Sequence, residues 1–345
     1  MAVPVLERRR RHRLGGRGRA ARVLRREGGG RCVRALRHLC RDRGWDRGRH
    51  CDRGAARLAP ARRRGERLRR LVLVLLAVAV VCPVGHAADG VPDFAHVVVI
   101  VFENKEESQV IGSRAAPTFT ALARRYVRLT RYYGITHPSL PNYVALVSGG
   151  TQGIHDDCTT CIVAARNLAD SLEASGRSWK TYAEGLPRPG FTGAFAGRYA
   201  KKHVPFLYFR DVVASPARRG RVVPLTQLQR DLHAGALPDF ALVVPDLCHS
   251  MHDCSVRTGD RWLARTIPPL LTLPNTVVFV TFDEGTVQNH VPALALGTAV
   301  RPATRVTART GHYSLLRTIE DAWSLPLLGR SANARPITGI WRSSP

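Results

Sequence analysis

The sequence has few acidic residues, and it has no lysine at all in its first 70 positions. Over the whole chain 26 Asp and Glu stand against 53 Lys and Arg, which gives a formal net charge of +27 at pH 7. Residues 1–70 contain 25 Arg and six acidic residues, so this segment carries +19 and the rest of the chain only +8. Most of the positive charge therefore lies in front of the part whose composition is typical of a folded domain.

The first 67 residues also lack a sustained hydrophobic period and have few aromatic residues. Arg, Gly and Ala dominate there, so the segment cannot bury enough apolar surface to offset the entropy lost on ordering. One interpretation is a basic arm that binds nucleic acid by neutralising phosphates. The other is a stretch translated from upstream of the true start, which the absence of lysine favours. We predict no fold for residues 1–67 in either case.

No apolar run in the chain reaches the roughly 20 residues that a membrane-spanning helix needs. The run that comes nearest, Leu71–Val84, follows Arg69 and Arg70 and precedes the small-residue segment Gly85-His86-Ala87. A positive stretch, a short apolar run and a small-residue cleavage site, in that order, are typical of a signal peptide.

We therefore predict a signal peptide at residues 68–87, followed by one mature domain at residues 88–345. The mature protein would be secreted or held in the cell envelope, without a stable membrane span. A lipid anchor on Cys82 is an alternative, although Val81 is large for the position before a lipid-modified cysteine.

Four cysteines remain after residue 87, and they form two close pairs along the chain. An even number of cysteines in an oxidising compartment favours disulfides, here Cys158 with Cys161 and Cys248 with Cys254. A zinc site built from both pairs is the competing interpretation. The gap between the pairs is much longer than in the usual zinc modules, which favours disulfides.

The mature part has neither a Ser/Gly-rich linker nor an internal repeat, and it alternates strand-like and helix-like segments. Four continuous apolar runs are typical of strands buried on both faces. They are His96–Phe102, Phe240–Val244, Thr276–Phe282 and Pro292–Leu296. Five segments carry apolar residues at helical spacing. They are Pro117–Val127, Pro141–Ser148, Arg166–Ala174, Leu225–His233 and His312–Leu325. This order predicts an α/β fold with a predominantly parallel central sheet sandwiched by helices.

Acidic and amide side chains follow three of the predicted strands directly. They are Glu103 and Asn104 after the first, Asp246 after the second, and Asp283 and Glu284 after the third. Because ligands of open α/β sheets bind beyond the carboxyl ends of the strands, we expect these groups to converge on one crevice. Hard oxygen donors this close suit a divalent cation, which would relieve their mutual repulsion and polarise a phosphoryl oxygen.

The segment THPSLPNY at residues 136–143 supplies a candidate nucleophile, Ser139. Pro141 predicts that a helix begins here, and a helix N-terminus attracts phosphate through its free backbone N–H groups. His137 lies two residues before the serine and is a candidate partner in catalysis. The alternative is that Ser139 only caps the helix.

Five histidines fall in short polar segments beside predicted strand or helix ends. They are His203, His249, His252, His290 and His312. At such places an imidazole can donate to phosphate oxygens or bind a metal. We favour His252, which precedes Asp253, and His312 for binding or catalysis, and we expect His249 to be a bystander.

At these residues the chain resembles the bacterial phosphoesterase family of secreted acid phosphatases and phospholipases C, a branch similar to the alkaline phosphatase superfamily. The resemblance is strongest to small mycobacterial-type secreted acid phosphatases that act on phosphoinositides. It covers about Phe94 to Ile340 through seven blocks in order. The blocks are FAHVVVIVFEN, THPSLPNYVALVSG, WKTYAEGLP, RYAKKHVPF, MHDCSVRTGDRWL, TFDEG and HYSLLRTIEDAW.

The resemblance implies an alkaline-phosphatase-like fold with Ser139 as nucleophile. The implied metal ligands are Glu103, Asn104, Asp283 and Glu284, with the identity of the ion open. The implied phosphate contacts are His137, His203 and His252, supported by Asn142 and Asp253. The chain departs from the family pattern at His249-Ser250 and at Thr286, Val287 and Gln288. Substrate preference therefore does not transfer from the family.

Residues and resemblance together predict an exported, metal-dependent hydrolase of phosphate monoesters that forms a phosphoserine intermediate. Its substrate class includes phospholipid or phosphoinositide headgroups. A phosphodiesterase of the phospholipase C type is the alternative, although the short chain leaves little room for a lipid-docking domain. A non-catalytic protein that binds nucleic acid or the envelope is the alternative from another class. The position of the arginine excess, in front of the predicted signal peptide, argues against nucleic acid as a partner.

Overall fold

Twelve strands and nine α-helices make up residues 90–342, the part of the chain that the computed structural model describes. The predicted segments 1–67 and 68–87 lie outside the described residues. The strands are β1 His96–Phe102, β2 Val127–Leu129, β3 Tyr132–Tyr133, β4 Trp179–Ala183, β5 Phe195–Ala196, β6 Tyr199–Ala200, β7 Val222–Pro224, β8 Phe240–Val244, β9 Thr276–Phe282, β10 Ala293–Leu296, β11 Thr304–Val306 and β12 Thr310–Gly311.

Eight of the strands form one sheet in the order β11-β2-β10-β9-β1-β8-β4-β7. All neighbours in it are parallel except those of β10, which runs antiparallel to both β9 and β2. The central strands β1, β8 and β9 are rich in β-branched residues and almost wholly buried, as expected of parallel strands covered on both faces. The predicted mostly parallel central sheet with helices is confirmed.

The helices connect the strands and cover the sheet. They are α1 Glu107–Val110, α2 Pro117–Arg125, α3 Ser139–Ser148, α4 Leu168–Ala174, α5 Arg210–Ala214, α6 Pro216–Arg219, α7 Thr226–His233, α8 Val256–Thr266 and α9 His312–Ala322. Short 3-10 turns lie at Lys201–His203, Pro205–Tyr208, Pro268–Leu270 and Gly329–Asn333. Helix α3 is buried along its whole length and packs against α9, so the residues at its start are held firmly.

The predicted helix Pro117–Val127 extends too far, because α2 ends at Arg125 and Val127 begins strand β2. Val127 is fully buried and pairs with Ala295 and Thr304, so sheet pairing outweighs helical continuation there. The last predicted helix is likewise shorter, since α9 ends at Ala322.

Both predicted disulfides are present, Cys158 with Cys161 and Cys248 with Cys254. The zinc interpretation of these four cysteines is wrong, because each sulfur is bonded to its partner. Between residues 90 and 342, no helix combines the length and the apolar character that crossing a membrane requires.

Candidate active site

Glu103 follows β1 directly and is fully buried at the carboxyl end of the sheet. Its Oε2 accepts a hydrogen bond of 3.0 Å from the Ser139 hydroxyl, and its Oε1 accepts one from the Tyr143 hydroxyl. The Nε2 atom of His203 lies 3.2 Å from Oε1, so the imidazole faces the carboxylate. Burial alone would raise the pKa of Glu103, but the imidazole of His203 and the hydrogen bond from Tyr143 lower it to about 2. Glu103 is therefore a carboxylate.

Asp283 and Glu284 follow β9 and lie beside Glu103. The Oδ1 atom of Asp283 accepts a 3.2 Å hydrogen bond from the backbone N–H of Asn104, and His137 Nδ1 donates to Glu284 Oε2 over 2.6 Å. Burial and the neighbouring charges of Glu103 and Glu284 raise the pKa of Asp283 well above its usual value. Burial also raises the pKa of Glu284, although His137 partly offsets the effect. Ionising all three carboxyls is unfavourable without a compensating cation.

Ser139 is the first residue of α3 and is buried. Besides its bond to Glu103, its hydroxyl lies 3.4 Å from Oε1 of Glu284. The side chain does not cap the helix. Asp157 caps the helix instead, since its Oδ1 accepts a hydrogen bond of 2.9 Å from the backbone N–H of Leu140. The alternative that Ser139 serves only as a cap is therefore wrong, and its hydroxyl points at the carboxylates.

The Asn142 side chain fixes the loop in front of Ser139. Its Oδ1 accepts from the backbone N–H groups of Ile135 and Thr136, and its Nδ2 donates to the carbonyls of Thr136 and Pro138. All four hydrogen-bonding positions of the amide are thereby used. The structure thus shows Asn142 as the residue that shapes this loop, and the predicted substrate contact stays a prediction.

His312, at the start of α9, lies beneath the acidic residues. Its Nε2 donates to the backbone carbonyl of Asp283 over 2.6 Å, and its Nδ1 accepts from the Tyr132 hydroxyl over 3.0 Å. Burial lowers the pKa of His312 to about 4, so the ring is neutral near pH 7. Both ring nitrogens are occupied, so the structure shows a residue that positions Asp283. The predicted role in substrate binding stays a prediction.

His252 lies on the His203 side of the site, with the two ring centroids 5.9 Å apart. Its Nδ1 donates to Asp253 over 2.6 Å, and its Nε2 lies 3.4 Å from Nζ of Lys202. Lys202 in turn donates to Asp157 over 2.7 Å. Burial lowers the pKa of Lys202, but Asp157 and Glu103 outweigh it and leave that pKa above its usual value. This side of the site therefore carries a fixed positive charge.

Asp246, His249 and His290 make their contacts elsewhere. His249 donates to Glu184 over 3.0 Å, and Asp246 accepts from backbone N–H groups that include that of His249. His290 lies 2.9 Å from the Thr130 carbonyl. The expectation that Asp246 joins the acidic crevice is not met, because its contacts are with Glu184 and the loop that follows it.

The residues brought together match the oxygen-rich chemistry of a divalent cation site. The Oδ2 atom of Asp283 is buried and makes no hydrogen bond among the described residues. Such an atom is costly to bury unless it binds a ligand. Together with Glu103 and Glu284 it offers the hard oxygen donors that Mg²⁺ or Ca²⁺ prefers.

Three residues of the site were not predicted from the sequence: Tyr143, Asp157 and Lys202. Tyr143 had a signal, because it lies four residues after Ser139 and side chains with that spacing share one face of a helix. Lys202 precedes His203 in the block RYAKKHVPF, but one of two adjacent lysines is not distinguished by pattern. Asp157 lies in a loop with no period, and only the fold reveals it.

The chain is similar to several known proteins. The sequence profile of the Phosphoesterase family matches residues 103–326. The chain is 37% identical over 272 residues to a phosphatidylinositol-3-phosphatase of Mycobacterium tuberculosis, covering 76% of this chain and 88% of that protein. It is 33% identical over 227 residues to an acid phosphatase of Aspergillus fumigatus, covering 61% of this chain and 51% of the fungal enzyme.

A solved structure supports the fold assignment. A protein of the alkaline phosphatase superfamily from Vibrio parahaemolyticus superposes with a TM-score of 0.51 at 14% identity. The match covers 73% of this chain and 72% of that one. At this identity the likeness concerns the fold alone.

Proposed function

Because the chain belongs to the Phosphoesterase family and is a phosphoric ester hydrolase, we propose that it cleaves phosphate monoesters with Ser139 as its nucleophile. The observation that carries this proposal is the position of the Ser139 hydroxyl, buried at a helix N-terminus and 3.0 Å from the Glu103 carboxylate. The non-catalytic alternative is excluded by the family assignment.

In the proposed reaction, Oγ of Ser139 attacks phosphorus in line with the ester oxygen. As Oγ bonds to phosphorus, its proton passes to one of the carboxylates that it faces, Glu103 or Glu284, and the bond from phosphorus to the ester oxygen breaks. The leaving oxygen takes up that proton and departs as an alcohol. Water then attacks the phosphoserine from the opposite side, which releases inorganic phosphate and restores the hydroxyl. Glu103 and Glu284 accept hydrogen bonds from the hydroxyl before attack and so orient Oγ.

Charge on the phosphoryl oxygens is stabilised by groups that the fold already holds in place. We assign His137, His203 and His252 to contact these oxygens, with Lys202 supplying positive charge at the same side. Asp253 fixes the ring orientation of His252 through Nδ1, which directs its Nε2 toward Lys202.

Glu103, Asn104, Asp283 and Glu284 would hold a divalent cation, which when bound supplies Lewis-acid stabilisation of the phosphoryl charge. The buried Oδ2 of Asp283, which has no hydrogen-bond partner in the part of the chain that the structure describes, supports this donor set. The family assignment also supports this set of ligands, because the family resemblance implies a metal site at these four residues beside Ser139.

The substrate class that we propose is a phosphate monoester on a soluble or lipid-borne headgroup, phosphoinositides included. It is supported by the relative from Mycobacterium tuberculosis, whose name states that activity. Export is supported by the predicted signal peptide and by the two disulfides, since such bonds persist in oxidising compartments.

The test replaces Ser139 with Ala in the full chain and compares turnover of monoesters and diesters, with and without chelator. Ser148→Ala is the matched control, since Ser148 lies buried in the same helix and its hydroxyl, within residues 90–342, bonds to the Val144 and Gly150 carbonyls and to Gln152. We expect S139A to lose about 1000-fold or more in kcat with an unchanged melting temperature. Near-normal turnover in S139A would refute the assignment, and faster turnover of diesters would move the enzyme to the phospholipase C type.

A further inference from the structure

A second cavity, of about 570 Å³, lies between the small sheet of β3 and β12, the start of α9 and the 3-10 turn Gly329–Asn333. Its lining contains three arginines, Arg309, Arg330 and Arg335, and no acidic residue. A neighbouring cavity of about 820 Å³ shares Arg309, Arg335 and Thr310, so the two form one basic cleft. A cleft with charges of one sign attracts a ligand of the opposite sign.

None of the three arginines forms an ion pair within residues 90–342. Five other arginines of these residues do, among them Arg218 with Asp170 and Glu173. Arg309 is instead held over the ring of Tyr133 at 3.7 Å, and Tyr133 stacks on His290 at 5.1 Å. The guanidinium group is thus fixed in place while its N–H groups stay available.

The cleft also contains the N-terminus of α9, an eleven-residue helix. Among the described residues no side chain caps this end, and the first turn has no acidic residue. Gly311 leads from β12 into the helix, and any side chain there would place Cβ 2.6 Å from the Tyr133 carbonyl. A strand that turns through glycine into a helix N-terminus is a geometry that binds phosphate.

An independent observation points to a ligand at the same place. Thr310 lines both cavities and is only 7% exposed, and its hydroxyl makes no hydrogen bond to the described residues. A buried hydroxyl without a partner is unfavourable unless a ligand or water satisfies it. Beside three guanidinium groups, an anionic oxygen is the acceptor that fits.

We infer that this cleft is a second phosphate-binding site, separate from the one at Ser139. It binds a phosphate group, carried either by inorganic phosphate or by a lipid headgroup, through Arg309, Arg330, Arg335, the Thr310 hydroxyl and the N-terminus of α9. The cleft lies next to the backbone of Asp283, one of the catalytic acids. Gly134 lines it, and a Cβ on Gly134 would lie 2.9 Å from the Asp283 carbonyl.

The experiment compares two triple variants of the full chain, each losing three exposed arginines. The test variant is Arg309→Gln/Arg330→Gln/Arg335→Gln. The control is Arg124→Gln/Arg261→Gln/Arg265→Gln, whose residues lie exposed on α2 and α8. Both lose the same charge, so a nonspecific effect of net charge is the same in both. Thr310→Val, alone, removes only the unpartnered hydroxyl.

One arm titrates inorganic phosphate by calorimetry. The other, in a Ser139→Ala background, measures co-sedimentation with phosphatidylcholine vesicles that contain or lack phosphatidylinositol monophosphate. If the ligand is free phosphate, the test variant binds one phosphate ion fewer per chain than the control. If it is lipid-borne, vesicle binding falls at least about tenfold in the test variant while the phosphate titrations agree. Thr310→Val weakens the same probe severalfold.

The inference is overturned if the test and control variants bind both probes equally, or if Thr310→Val binds as the unaltered chain does. Turnover of a soluble monoester at saturation separates this result from the proposed function. Turnover stays near normal in the arginine test variant, because these arginines are not assigned to catalysis. Ser139→Ala, by contrast, abolishes turnover if Ser139 is the nucleophile.

Discussion

The hydroxyl Oγ of Ser139 lies 3.0 Å from Oε2 of Glu103, although the two residues are 36 positions apart in the chain. Strand β1 delivers the carboxylate and helix α3 delivers the hydroxyl, and both side chains are buried. Burying Asp283 and Glu284 beside that carboxylate costs folding free energy, because burial and the neighbouring charges raise the pKa of both. A chain that keeps such an arrangement keeps it for chemistry rather than for stability.

Replacing Asp283 with Asn should stabilise the protein in chelator and remove its response to a divalent cation. The variant loses the buried charge that Glu103 and Glu284 oppose, so we expect the unfolding free energy in chelator to rise by about 1 kcal/mol or more. Added Mg²⁺ or Ca²⁺ should then no longer raise the melting temperature. Asp93→Asn, at an exposed carboxylate, is the control and should keep the cation response. An equal cation response in D283N would contradict the proposed ligand set.

Replacing His312 with Phe should impair both stability and catalysis. The change leaves the Asp283 carbonyl and the Tyr132 hydroxyl buried without partners, which costs about 2 to 4 kcal/mol. Because Asp283 loses its support, we expect kcat to fall about 100-fold. His290→Phe serves as the comparison, since it removes a bond to Thr130 away from the carboxylates and should retain kcat. Wild-type kcat in H312F would argue against a positioning role.

Glu320→Gln should change how stability depends on pH. Glu320 is buried in α9, and burial raises its pKa to about 7 from an ordinary value of 4.5. The folded state therefore holds a proton that the unfolded state has lost between these two values. Stability from this group is complete below pH 4.5 and is lost as pH rises to about 7.

The E320Q variant should gain over the unaltered protein as pH rises, reaching on the order of 3 kcal/mol above pH 7. Urea unfolding at several pH values measures this difference. Asp93→Asn, at an exposed carboxylate, is the control for the loss of one acidic side chain. A difference between E320Q and the unaltered protein that does not change with pH would show that folding leaves the pKa of Glu320 at its ordinary value.

The sequence was sufficient to predict the long central strands and not the short outer ones. Strands β1, β8 and β9 are uninterrupted apolar runs, and their predicted bounds are the observed ones. Strands β2 and β11 have three residues each with an arginine in the middle, so no apolar run marks them. β2 pairs with the edge of β10, and β11 pairs with β2, so both strands depend on tertiary structure.

For the site, topology explains both what was predictable and what was not. Glu103, Asp283 and Glu284 were predictable because each follows a buried parallel strand, and such strand ends meet at one edge. The sequence marks Asn142 and His312 as candidates for substrate contact. The folded chain is needed to see that their polar atoms form hydrogen bonds within the protein. Asp246 follows a strand of the same sheet, yet its carboxylate is used by the loop behind it.

The most direct test of the account is to trap the covalent intermediate. The full chain is mixed with a phosphate monoester, quenched in acid within the first turnover, digested and analysed by mass spectrometry. We expect one phosphoryl group on the peptide that contains Ser139, absent from the S139A variant. A quenched enzyme that turns over but carries phosphate on another residue, or on none, would contradict the claim that Ser139 is the nucleophile.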